Sequence, residues 1–394
     1  MKLTLINQIW VRSQGYNPGS TRYGYPMQSG SDIGIRRYRV QFFGQLTDRV
    51  FIYSQFGENN FNSLSDRKLG FFVHDAAGEY MIVHKKLSLG AGLTAWGGFA
   101  RFCSPAVGSI LGVDAPLFLQ STNDVTDQFL RKLGIYAKGK LGKLDYRIAV
   151  SDPMAFQRAA GYSPSPQAVS NFSSKPAHKQ WSGYFQYQFL DQESNQTPYL
   201  AGTYHGKKTV FNLGAGMEYQ PQAMWHLDTG ADTVDSDLLQ VAADVYYDAP
   251  IGSKGQALSL YGVIAYFDFG PGYLRNLAVM NPVNGTTRSD VLNGSGNGFP
   301  AYGTGLSAYA QAGYKLRDNL IGHTTFMPYV TLQHARYDRL TRPMDFTDMG
   351  INWLLTSHTS KLTAAWQYRP IYDAGGTLSD HKNALILQYQ TFFN

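Results

Sequence analysis

The chain predicts an all-β fold, a transmembrane antiparallel β-barrel built as one domain over residues 1–394. Three observations carry that reading. The first is the stretch from Asp345 to Asn394, which alternates with period two in three successive segments. Met349, Ile351, Trp353 and Leu355 share a face in one segment. Leu362, Ala364, Trp366 and Tyr368 share one in the next, and Leu385, Leu387, Tyr389, Thr391 and Phe393 in the last. Successive side chains of a strand point to opposite faces, so this period means β-strand. The second is composition. Aromatic residues make up 14% of the chain and charged residues only 16%, against the ~25% charged of soluble domains. No apolar run reaches the ~18 residues of a membrane-crossing helix. A barrel strand shows lipid only every second residue, which reconciles a mean hydropathy of −0.27 with a membrane protein. The third is that short and long connections alternate along the chain.

Alternation places strands at about 3–12, 33–46, 50–58, 69–83, 87–99, 128–139, 143–151 and 180–191. It places the others at about 207–220, 236–248, 256–268, 305–317, 323–338, 344–356, 360–372 and 382–394. TDR, HKKL, LGKL, IGSKG and SHTS are short connections; 13–32, 100–127, 152–179, 221–235 and 269–304 are long. Short turns on one rim and long loops on the other are the pattern of bacterial barrels, and an even count brings both termini to the turn side. Residues 192–206 are too long for a turn. They extend the next strand, which keeps the count at sixteen, or hide two more, which makes it eighteen. NDVTDQFL, after Ser121, has the pattern of one helical turn capped by Asn123. The single Cys103 excludes an internal disulfide. The opening MKLTLI lacks a long apolar run and leads into a strand, as in a mature chain without its signal peptide.

The more apolar face of each strand should meet lipid, because Arg or Lys there costs about 2–4 kcal/mol near the midplane. Tyr38, Val40 and Phe42 then face outward, as do Leu133, Ile135, Trp181, Phe185, Leu306 and Ala308. The basic residues Arg37, Arg39, Lys132, Lys138, Arg147, Lys315 and Arg369 face inward with the acids Asp75, Glu79, Asp145, Glu218, Asp244 and Asp348. These cations either form a ladder that concentrates anions or pair with the acids into a mixed-charge wall. The inner face reads as polar, and a lumen this wide holds water. Loop 100–127 is apolar and poor in charge, carrying Phe102, Cys103, Pro105, Asp114 and Phe118. It either folds inward as a constriction or packs against a neighbouring copy. His323, His334, His358 and His381 have no metal-ligand spacing. No Gly-x-Ser-x-Gly occurs. GSGNG at 294–298 does not lead from a strand into a helix. No enzyme, metal, cofactor or nucleic-acid partner is expected.

The blocks MGINWLLTSHTSKL and LILQYQTFF, with LRKLGIYAKGKLGKLDYRIAV over Leu130–Val150, resemble the Gram-negative outer-membrane porin family that contains the phosphate-selective porins. The resemblance implies passive diffusion of small polar solutes, with preference for phosphate or other small anions. It also implies a homotrimer among outer-membrane lipid and lipopolysaccharide. Of the family's arginine ladder, Arg37, Arg39 and Arg147 are the matching positions. The alternative within this fold is a barrel blocked by its loops that serves a structural role or binds a lipoprotein or secretion partner.

Overall fold

Sixteen strands hydrogen-bond each to the next, all antiparallel, in a computed structural model that describes residues 1–65, 70–155 and 165–393. They are β1 (Lys2–Gly15), β2 (Ser29–Gln45), β3 (Val50–Phe61), β4 (Phe72–Val83), β5 (Leu87–Thr94), β6 (Lys132–Leu141), β7 (Leu144–Asp152) and β8 (Gln180–Gln188). The second half comprises β9 (Val210–Leu227), β10 (Thr233–Pro250), β11 (Ala257–Asp268), β12 (Gly305–Lys315), β13 (Thr325–Tyr337), β14 (Met344–Thr356), β15 (Ser360–Tyr372) and β16 (Leu378–Phe393). β16 returns to β1 in a register running from Leu5 opposite Phe393 to Gln14 opposite Ala384. Closure leaves no unpaired edge, so every strand N–H and C=O in hydrocarbon has a partner. Within the expected ranges, residues 66–68 between the strands expected at 50–58 and 69–83, and residues 156–164 of the long connection 152–179, lie outside the described residues. So do position 69 of one strand and Asn394 of the last.

The outward faces carry the apolar residues that alternation assigned to lipid. Leu133, Ile135, Trp181, Phe185, Leu306, Ile351, Leu385 and Leu387 are all exposed, while Tyr136, Tyr184, Tyr309 and Gln388 beside them are buried. The inner wall departs from the expected uniform polarity. On β10 to β12, Tyr246, Tyr261, Val263, Phe267 and Tyr309 point inward and form an aromatic sector. β11 is apolar on both faces, which tells of a partner inside the barrel as well as lipid outside.

That partner is the connection 95–131. Its Phe99, Phe102, Phe118 and Leu119 pack on the aromatic sector, with the Phe102 and Tyr261 rings 4.5 Å apart. Burying these side chains against a dry wall contributes about 1.5–3 kcal/mol each, far better than leaving them in a wet lumen. The expected helical turn after Ser121 does not form. Asn123 Oδ1 instead accepts the N–H of Phe129 at 2.7 Å and closes a turn.

Two expected connections are corrected. Residues 221–235 are not a long loop. β9 and β10 run on to Leu227 and from Thr233, with the register shifted between Gln220 and Met224. Pro221 cannot donate to the ladder, and the shift breaks the alternation on which sequence reading depends. The connection 189–209 neither extends the next strand nor adds two strands. It folds into the lumen from the turn rim, where Leu200 bridges Pro105: Ala106 N–H donates to Leu200 O at 2.8 Å and Leu200 N–H to Ser104 O at 3.0 Å. From the opposite rim, loop 269–304 folds back through a hairpin of Leu274–Leu277 with Phe299–Gly303. Three segments thus meet inside the barrel.

Candidate permeation pathway

β2 supplies three guanidinium groups to one level of the lumen. Strict alternation would send Arg36 outward, but the β1–β2 register shifts there: Gln8 opposes Arg37 and Ile9 opposes Ile35. Such a bulge places two consecutive residues on one face, so Arg36 and Arg37 both turn inward and are buried. Asp114, from the connection 95–131, sits between them. Arg36 donates to it from Nε and Nη2 at 3.2 and 2.9 Å, and Arg37 donates to the same carboxylate. Arg37 also donates to Gln8 Oε1 at 2.8 Å. Arg39, two residues on, donates to Asn59 Oδ1 at 3.1 and 2.9 Å. Among the described residues, no carboxylate lies within ion-pair distance of Arg39.

Arg131 completes the group. Its Nε lies 3.2 Å from Asp75 Oδ2, and its Nη2 donates to the Tyr199 hydroxyl at 2.7 Å, which itself donates to Asp75 at 2.7 Å. Tyr199 belongs to 189–209, so the inward-folded connection from the turn rim forms part of this site. The four arginines, Asp124 and Tyr199 line a cavity of about 80 Å³. Arg39 and Tyr199 also line a second cavity of about 140 Å³, reaching Phe43, Ser109 and Phe392 near the turn rim. Asp124 is accessible from the cavity, but desolvation by the loops crowding it first, and then neighbouring Asp127, push its carboxyl up to about 6.

All thirteen expected inward charges lie on the inner wall and are buried, apart from the half-buried Glu79. Only Arg37, Arg39 and Asp75 meet at this level. Lys132 lies 3.3 Å from Asp127. Lys138 lies 2.9 Å from Glu79 and donates to Asn195 O at 2.6 Å. Arg147 donates to Pro198 O at 2.8 Å. These contacts hold loop ends and the inward-folded connection. Lys315 pairs with Asp318 at 2.6 Å at the turn rim. Arg369 donates to Gly15 O at 2.7 Å and Gly296 O at 3.1 Å, beneath the loops of the opposite rim. Asp145 is 3.9 Å from Lys140. Glu218 accepts from Gln180 and Gln240 at 2.9 and 2.7 Å. Asp244 accepts the Arg101 N–H at 2.7 Å, and Asp348 accepts from Tyr329 and Gln367, each at 2.7 Å.

Of the loop residues singled out, Phe102 and Phe118 anchor the loop to the wall, Pro105 receives Leu200, and Asp114 joins the arginines. Cys103 is buried and unbridged, its thiol pushed up to about 12 by burial. Sequence reading missed Arg36, Arg131, Tyr199 and the pair Arg101–Glu193. That pair is bidentate, at 2.7 Å on both arms, with both side chains inaccessible, and it ties 95–131 to 189–209.

No protein-family model and no curated sequence matches the chain. Solved structures do match, across nearly the whole length. OprB of Pseudomonas putida has a TM-score of 0.54 at 11% identity, covering 99% of this chain and 94% of that one. OmpF of Salmonella typhi, solved with daunomycin, has a TM-score of 0.53 at 11% identity, covering 99% and 97%. The outer membrane channel DcaP of Acinetobacter baumannii has a TM-score of 0.51 at 11% identity, again covering 99% and 97%. The chain therefore has the sixteen-stranded fold of outer-membrane porins; at this identity the likeness concerns the fold.

Proposed function

We propose that the barrel lies in the outer membrane of a Gram-negative bacterium and passes small anionic solutes by diffusion. The observation that carries this reading is the charge around the narrow level. Arg36, Arg37, Arg39 and Arg131 stand against Asp75, Asp114 and Asp124; Arg36 and Arg37 share one carboxylate, and Arg39 has only an amide. An uncompensated guanidinium in a confined lumen lowers the entry barrier for an anion. Its planar donor fork suits phosphate and carboxylate alike, so both belong to the proposed solute class. Trimeric assembly belongs to the same proposal, which cross-linking in detergent checks. Purified protein in a planar bilayer under a salt gradient should give a reversal potential of anion-selective sign; a cation-selective sign would reject the reading.

A second reading, a barrel occluded by its own loops, is supported by the docking of 189–209 onto 95–131 through the buried Arg101–Glu193 pair. Absence of unitary conductance from correctly assembled protein favours this reading over the first.

A further inference from the structure

The turn rim carries an arc of lysines that the pathway does not use. Lys85 and Lys86 lie between β4 and β5, Lys140 and Lys143 around the β6–β7 turn, and Lys207 and Lys208 before β9. Backbone hydrogen bonds join these connections into one surface. Lys140 N–H donates to Lys85 O, Gln188 N–H to Lys143 O and Asp191 N–H to Thr209 O, each at 2.9 Å. Lys140 is half-buried and faces Asp145 at 3.9 Å. Among the described residues, no carboxylate lies within ion-pair distance of Lys85, Lys86, Lys143, Lys207 or Lys208. Lys143 and Lys208 donate to the carbonyls of Phe189, at 2.6 Å, and Gln192, at 3.1 Å, contacts that leave their charge uncancelled. Asp191 and Asp48 are exposed acids of this rim: the Asp191 carboxylate accepts the Thr209 N–H at 2.8 Å, and Asp48 lines a cavity with Lys85 and Lys140.

On its outward side the arc adjoins apolar surface. Val83, Leu141, Phe189 and Leu190 are exposed at these same turns. The Phe189 ring lies 4.7 Å from Tyr187 and 5.0 Å from Phe211, and Tyr146 donates to Lys86 O at 2.8 Å. Aromatic girdles of this kind mark the level where hydrocarbon meets head groups. The turns that carry these lysines therefore stand at phosphate depth beside the bilayer, with Lys85 also lining the lumen mouth beside Glu79 and Lys138, and Lys208 half-buried over the Tyr204 ring. On the opposite rim charges of both signs mix: Asp228 and Asp232 lie at the tip between β9 and β10, and Asp235, at the start of β10, pairs with Lys175 at 2.7 Å.

We propose that this arc binds the anionic head groups of phospholipids in the leaflet on the turn side. A lysine near an anionic bilayer surface contributes roughly fivefold in association. Protein reconstituted in phosphatidylcholine bilayers, with trace spin-labelled phosphatidylglycerol or phosphatidylcholine, reads the selectivity at the barrel surface directly. Wild type should hold phosphatidylglycerol at least about fivefold more strongly at low salt. The preference should shrink as salt rises from about 0.05 to about 0.5 M. Changing Lys85, Lys86, Lys143, Lys207 and Lys208 together to Gln should bring it close to one, with assembly checked by heat-modifiable mobility. A preference retained in the assembled variant overturns the proposal. Should that variant fail to assemble, a wild-type preference unaffected by salt overturns it equally. Co-sedimentation with purified peptidoglycan completes the test: loss of that binding in the variant, with lipid preference intact, would assign the arc to the cell wall instead.

Discussion

Asp114 answers two guanidinium groups at once, which leaves the arginine level of the lumen short of negative charge. Arg37 and Arg39 were legible from alternation alone, since inward is the favourable direction for two such groups at membrane depth. Arg36 was not, because period two sends it outward. The signal was nevertheless present: the exposed apolar side chains sit at odd positions through Ile33 and change to even positions by Phe42, and a change of parity within a strand marks a bulge. Alternation gives the face of a side chain but says nothing of which loop reaches it, so Lys138, Arg147 and Arg369 read as one ladder with residues they never approach. Replacing Arg37 and Arg39 together by Gln keeps their polarity and removes two charges. Reversal potential should shift toward cations, more at low salt than at high, because screening shortens the reach of the field to ~8 Å at physiological ionic strength. Asp124 adds a pH dependence. Its carboxyl titrates near 6, so it is mainly ionised at pH 7.5 and mainly protonated at pH 5. Protonation removes a negative charge facing Asp127, Arg275 and Arg36, so anion preference should rise as pH falls through about 6. In Asp124→Asn that rise should vanish and the high-pH preference should match the acid-side value of wild type.

Two connections, one from each rim, set what remains of the lumen. The inward course of 95–131 had a physical cue, since an apolar loop in water is unfavourable, and β11, apolar on both faces, marks the wall it covers. The course of 189–209 had a weaker one. Its length was wrong for a turn, but its own residues are mixed, and what draws it inward is a set of partners distant in sequence: Arg101, Lys138, Arg147 and Asp75. Glu193→Gln leaves Arg101 buried without a counter-charge, a change that costs about 3–5 kcal/mol. The barrel ladder is untouched, so the expected outcome is release of 189–209 and a larger unitary conductance from protein that still migrates as an assembled barrel. Deleting Pro105–Leu117 acts on the same contact from the other side, since Pro105 and Ala106 hold Leu200. It also removes Asp114, leaving Arg36 and Arg37 unpaired. Conductance and anion preference should therefore rise together, and Glu193→Gln, which removes a negative charge and uncovers Arg101, Lys138 and Arg147, should raise both as well.

At the scale of the whole molecule, the inside depends on closure. The lumen can hold buried arginines, amides and inward loops only because sixteen strands satisfy the backbone outside them. β16 and β1 are far apart in sequence, so the seam brings no local contacts to help it form and rests on its ladder and its lipid face. Leu387 lies mid-seam, opposite Val11 of β1 and Ala364 of β15, and its side chain is exposed to lipid. The adjacent Gln388 points inward and accepts the Trp10 Nε1–H at 2.7 Å. A charge at 387 therefore meets hydrocarbon, with apolar Val11 and Ala364 directly beside it and Ser13 and Tyr389 further along the same face. Leu387→Arg should lower the unfolding free energy by about 2–4 kcal/mol if the position is near the midplane. Urea unfolding in lipid vesicles, followed by tryptophan emission and by heat-modifiable mobility, measures that loss. An unchanged midpoint would mean that this face of β16 does not meet lipid, and the inward assignment of the arginines, which rests on the same alternation, would have to be reversed with it.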